Sequence, residues 1–190
     1  LIKIFFCIMK VEQTSIKDLV IIHPNVFEDE RGYFFEAYNQ AKFNQEGINF
    51  QFIQDNQSFS KRGVIRGLHL QINPFAQAKL VRVLEGEILD VAVDLRKNSP
   101  TYGQYESVVL SAENKKQLMI PHGFAHGFSV LSETASVLYK VDQVYDKNSE
   151  RGIRFDDPTL NIDWQVESNE IIVSEKDLVL PYFKDIDWRF

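Results

Sequence analysis

The 190 residues carry 27 acidic against 21 basic side chains, a formal net charge of −6, which argues against a nucleic-acid binder, since phosphate backbones call for a broad basic stripe. One cysteine, Cys7, excludes an intrachain disulfide framework and suits a reducing compartment, so a cytoplasmic protein is expected. The length fits one domain over residues 1–190, and 15 phenylalanines within 13% aromatics, without any low-complexity run, point to a β-rich core.

Ahead of Met9 stands LIKIFFCI, apolar but far shorter than the ~20 residues that span a bilayer, and without the cleavage pattern of a signal peptide. Residues 1–8 are expected to be a non-native extension or an extra strand, the first being favoured, and no membrane partner is expected. Residues 19–22 read as a short apolar strand that Pro24 ends. Residues 29–32, DERG, form a turn into an aromatic strand over 33–38. Asn39 has the side chain to cap a short helix running to Gln45, with Gly47 as its stop. Residues 50–55 alternate as a strand would.

Residues 63–83, GVIRGLHLQINPFAQAKLVRV, stand out because Arg66, His69, Gln71, Lys79 and Arg82 are spread among strand-forming residues. Side chains of a strand alternate between faces. Gly67, His69 and Gln71 therefore share one face, Lys79, Val81 and Val83 share one on the next strand, and if those faces coincide a histidine and a lysine look into one cavity. Taken singly, a strand histidine is more often a hydrogen-bonded core or edge residue, and a strand lysine a solvated edge. Strict alternation also sets Arg66 and His69 on opposite faces, a conflict that a bulge near Gly67 would resolve.

Residues 80–95 read as two strands of a hairpin turning at Glu85-Gly86, and residues 108–110, 117–120, 127–131 and 135–144 supply further strands. Crossover helices for a parallel sheet are missing. The fold class expected is all-β, a sandwich or barrel, with short helices after about residue 157 closing one side. No internal repeat or linker divides the chain.

Five separated segments then carry a resemblance: DERGYFFEAYN, QDNQSFSKRGVIRGLHLQ, AKLVRVLEGEILDVAVDLRKNSPTYGQ, LSAENKKQLMIPHGFAHGF and VLYKVDQVYDKNSERGIRFDDP. Together, in this order, they resemble the dTDP-4-dehydrorhamnose 3,5-epimerase family from about residue 19 to the end. The resemblance implies a cupin jelly roll acting on dTDP-4-keto-6-deoxyglucose, with protons exchanged at C3 and C5, no cofactor and no metal. It also implies a homodimer in which Arg31 or Glu36 reaches a neighbour's pocket, with the aromatic strand over 33–38 as the pairing edge. Such chemistry needs a base of near-neutral pKa and a group that stabilises an enolate.

By the same resemblance His69 is the general base, a role suited to imidazole, whose ordinary pKa lies near ~6.5. Asp177, in VSEKD, is its carboxylate partner; alone it would read as the cap of a short helix. Lys79 faces the sugar ketone and Tyr139 returns a proton from the opposite side of the ring. His126 contacts substrate in the same pocket, whereas His122 is a loop or surface histidine. For the nucleotide, where a diphosphate needs cations and a base needs an aromatic platform, the matching positions are Arg31, Glu36, Gln54, Asn56, Arg66, Tyr145, Glu150 and Lys176. Of these, Arg66 faces phosphate and Tyr145 stacks on thymine.

This chain departs from the family pattern at Gln57, where a histidine is common, and at Leu70, where an aromatic is frequent. Rival readings are an epimerase acting at C3 only, a ketoisomerase moving the carbonyl from C4 to C3, and a cupin that merely binds a nucleotide sugar. A metal-dependent cupin using His69 and His126 is a further rival. Metal cupins usually pair two histidines one residue apart, and here Gln71 holds that position with a lysine downstream.

Overall fold

Strands that are apolar on one side must cover that side, and here two antiparallel sheets do so face to face. The computed structural model describes residues 9–188 and residue 190, so the expectation for residues 1–8 lies outside the described residues. In chain order the strands are β1 (Lys10–Gln13), β2 (Val20–His23), β3 (Val26–Asp29), β4 (Gly32–Phe35), β5 (Gln54–Lys61), β6 (Ile65–Gln71) and β7 (Lys79–Glu85). There follow β8 (Glu87–Asp94), β9 (Tyr105–Ser111), β10 (Gln117–Ile120), β11 (Phe124–Val130), β12 (Thr134–Val141) and β13 (Glu150–Gly152). One sheet has the order β1-β2-β10-β7-β12-β5, the other β13-β6-β11-β8-β9, and β3 pairs with β4 as a separate hairpin. This is a jelly-roll sandwich, the all-β class expected.

Between the sheets lie Val81, Val83, Ile88, Ala92, Leu118, Phe128 and Val137. Alternate residues of the same strands look outward, and both outer faces are covered. Leu68, Leu89, Val91 and Val93 meet Ile153, Leu160 and Trp164 of the C-terminal segment. Val20, Ile22, Leu80 and Met119 meet Phe43 of helix α1 (Gln40–Gln45) and Ile48. Burial on both faces explains why apolar residues of β8 fall at both parities, Ile88 to Val93 being interrupted only by Asp90.

Helix α1 forms where the sequence places it. The Asn39 side chain accepts from the Ala41 and Lys42 N–H groups at 3.1 and 3.3 Å, and Gly47 ends it with φ +82°. The C-terminal segment supplies α2 (Glu175–Leu178), capped by Ser174, and a 3-10 turn, Phe183–Asp185.

Residues 80–95 are not a hairpin. β7 pairs with β10 and β12, while β8 pairs with β11 and β9, so the turn at Gly86 carries the chain from one sheet to the other. Gly86 has φ +77°, and a Cβ there would stand 2.0 Å from the Thr134 carbonyl oxygen, so the arch needs glycine as a hairpin would. Local residues therefore cannot tell the two apart. The aromatic strand stops at Phe35, where the chain turns toward the cap of α1. The segment over 50–55 becomes strand only at Gln54, because Phe50 and Phe52 pack against the α1 cluster, and β12 ends at Val141.

Candidate active site

The site begins with an irregularity in β6. His126 of β11 stands opposite His69, and Phe128 opposite Arg66, so three steps along β6 match two along β11. The extra residue makes a bulge at Gly67, with φ +126°. A Cβ on Gly67 would lie 2.5 Å from the Gly127 Cα, so two glycines back to back let the strands meet. The bulge settles the conflict over alternation. With three steps of β6 matching two of β11, Arg66 and His69 fall on one face, Arg66 at its exposed margin, donating to Ser60 Oγ at 3.0 Å and to the Phe59 carbonyl, and His69 further in.

His69 Nε2 lies 2.7 Å from Asp177 Oδ1, although 108 residues separate them. Asp177 sits on α2 and is nearly enclosed; its other oxygen accepts from the Gly67 N–H at 3.4 Å. Burial alone would raise this carboxyl, but the hydrogen bond and charge of His69, with bonds from Gly67 and Ser174, hold it below the usual carboxylate range. An ionised Asp177 accepts a hydrogen bond from Nε2–H, which favours the tautomer that leaves Nδ1 with the basic lone pair.

Lys79, at the start of β7, is 8% exposed and donates to the His69 carbonyl at 3.3 Å. Desolvation pulls its pKa down to about 8 against the attraction of Asp90 and Glu150. Tyr139, on β12 opposite Asn56 of β5, has its pKa raised by burial, opposed by Arg66. Its phenol is a proton donor at neutral pH.

These three side chains line one cavity of about 200 Å³. Gln54 and Asn56 form a wall, joined by a 2.8 Å bond from Gln54 Nε2 to Asn56 Oδ1. Gln71, Tyr145 and Glu150 line it too, as do Leu70 and Gln77. Tyr145 donates its hydroxyl to Glu150 at 2.9 Å, and Lys176 reaches the other oxygen of Glu150 at 2.6 Å. Burial would raise Glu150, yet Lys176 and Tyr145 together hold it low.

His126 is buried just behind His69 and bonds Asp90 Oδ1 at 2.7 Å, while Asp90 Oδ2 has no partner. Burial lowers the His126 pKa, against the pull of Asp90. His126, Arg66 and Lys176 stand beside the cavity without lining it. Arg31 and Glu36 lie away from it, bonded to Asp29 and Lys42. His122 is a part-exposed loop residue bonded to Asp142 at 2.8 Å. Among the described residues no three His, Cys, Asp or Glu side chains are grouped to hold a metal ion.

Sequence alone does not point to Gln77 or Asp90. The only signal for Asp90 was an acid in the middle of EILDVAVD, and Gln77 gave none.

The profile of the dTDP-4-dehydrorhamnose 3,5-epimerase family matches residues 13–185. The dTDP-4-dehydrorhamnose 3,5-epimerase of Shigella flexneri is 51% identical over 181 residues, covering 95% of this chain and 99% of that protein. The crystal structure of the Elizabethkingia anophelis dTDP-4-dehydrorhamnose 3,5-epimerase superposes with a TM-score of 0.92 at 55% identity, over 95% of this chain and 100% of that one. A Legionella pneumophila dTDP-6-deoxy-D-glucose-3,5-epimerase, solved in complex with dTDP-4-keto-L-rhamnose, gives 0.90 at 46% identity, over 94% and 95%.

Proposed function

Since this chain belongs to the dTDP-4-dehydrorhamnose 3,5-epimerase family, we propose that it inverts C3 and C5 of dTDP-4-keto-6-deoxy-D-glucose, beside the C4 ketone, to give dTDP-4-keto-L-rhamnose. It is an isomerase of the epimerase kind. The observation that carries the reading is that His69, Lys79 and Tyr139 open onto one cavity, with His69 already held by Asp177.

His69 takes the proton from carbon, and Asp177 stabilises the imidazolium that results. Lys79 offsets the charge that gathers on the ketone oxygen; in a cavity with little water that attraction is stronger than in solution. Tyr139 returns a proton to the other face of the ring, which is what inversion requires. Each inversion leaves His69 protonated and Tyr139 deprotonated, and exchange with solvent resets both before the next; since no carbon is oxidised or reduced overall, acid, base and electrophile suffice without a cofactor. Tyr145 takes the thymine, with Glu150, Lys176, Gln54, Asn56, Arg66 and His126 framing the rest of the nucleotide sugar.

The chain acts as one cupin unit in the cytoplasm; no described helix is long and apolar enough to cross a membrane. A homodimer is supported by the β3–β4 hairpin, which leaves Phe27, Tyr33 and Phe34 exposed at 60, 57 and 70%. It would also bring Arg31 and Glu36 to a neighbour's cavity.

The test is an NMR time course with the ketosugar in heavy water. Deuterium at both C3 and C5 is expected, with a rhamnose-configured product. Label at C3 alone would make it a C3 epimerase, a moved carbonyl a ketoisomerase, and no label a binding protein. His69→Ala in the same assay should slow exchange by about 10²–10⁴-fold.

A further inference from the structure

Tyr145 is more than half exposed, and its hydroxyl has one tether, to Glu150. A ring so placed offers a nucleobase a flat face only if its backbone is held. One buried side chain does this. The Gln71 amide donates to the Val144 carbonyl at 3.0 Å and accepts from the Asp146 N–H at 2.6 Å, gripping the backbone immediately before and after Tyr145. Its remaining N–H goes to the Phe75 carbonyl at 2.6 Å, which fixes the loop between β6 and β7. Gln71 is 4% exposed, and both of its donors are used within the protein.

From this geometry we infer that Gln71 is a positioning residue: it orients Tyr145 and ties nucleotide recognition to the strand that carries His69. The two positions lie two residues apart on β6, on one face. A shift of β6 therefore moves base and clamp together. The inference rests on the reading of Tyr145 as the nucleobase platform.

Titration of dTDP into four proteins separates the two ideas: wild type, Gln71→Met, Tyr145→Ala and the double variant. Loss of one stacking contact weakens binding roughly tenfold. That loss is expected in each single variant, and the double should fall no more than about threefold below Tyr145→Ala, because both changes remove one contact. KM for the ketosugar should rise with the dTDP dissociation constant, while kcat changes less than about threefold. A merely structural role would lower kcat as well, and its effect would multiply with that of Tyr145→Ala; either result overturns the inference. Full dTDP affinity in Gln71→Met beside a weakened Tyr145→Ala overturns it too. Full affinity in Tyr145→Ala instead removes the platform reading. Should Gln71→Met not fold, Gln71→Glu keeps the acceptor for Asp146 and loses both donors, and the same tenfold loss is expected.

Discussion

Lys79 stands between opposing demands: burial favours its neutral form, and the carboxylates of Asp90 and Glu150 favour the ammonium, leaving a pKa of about 8. At neutral pH the charge is therefore present but weakly held. In an unfolded chain the same lysine keeps its proton to about 10.4. Between these two values the unfolded state binds more protons, so Lys79 contributes stability that rises with pH across that window. Activity runs the other way, since the enolate needs the ammonium. The kcat should fall as pH passes about 8, with no such loss just below. Lys79→Met should abolish exchange at pH 7 while stabilising the fold by on the order of 3 kcal/mol, and that difference in denaturant midpoint should close as pH rises beyond about 8. A kcat that stays level to pH ~10 would rule out a charged Lys79 as the enolate's partner.

At the level of strands, the Gly67–Gly127 contact decides where His69 sits. A Cβ at Gly127 would stand 2.7 Å from the Arg66 carbonyl oxygen and 3.2 Å from the Gly67 Cα, both backbone, so β6 would have to move. Gly127→Ala should cost about 1–3 kcal/mol of stability. It should also lower kcat at least tenfold, because His69 leaves its register with Asp177; a small misplacement near the chemistry is costly. Asn39→Ala is the control. It loses a cap worth about 1 kcal/mol on the far side of a sheet and should leave kcat unchanged. Single strands were legible as short runs at regular spacing between turns, as the match at Gln117–Ile120 shows, and so was the cap at Asn39. Pairing was not: the arch at Gly86 has the residues of a hairpin, and nothing local says which sheet the next strand joins. The bulge at Gly67 could be anticipated only because Arg66 and His69 made conflicting demands on one strand. Asp177 is the limiting case, since a carboxylate on a four-residue helix acquires meaning only from a fold that carries it back to β6.

For the molecule as a whole, the cavity and the β3–β4 hairpin are separate features of one chain. Arg31 lies at the turn of β3–β4, bonded to Asp29, and does not line the cavity of its own chain. The exposed aromatic side chains beside it form a surface that a second copy would cover. If Arg31 completes a neighbour's site, two inactive proteins can repair each other. In a mixed dimer of Arg31→Ala and His69→Ala chains, the subunit that retains His69 receives the intact Arg31 from its partner, and one of the two sites works. Random exchange of subunits makes half of the dimers mixed, so about a quarter of wild-type turnover should return on mixing. Were Arg31 to serve its own chain, every site would lack either the arginine or the histidine, and mixing would restore nothing. Phe34→Glu, which puts a charge on the hairpin surface, should shift sedimentation from twice the 22.1 kDa chain mass toward the single chain and abolish the recovery.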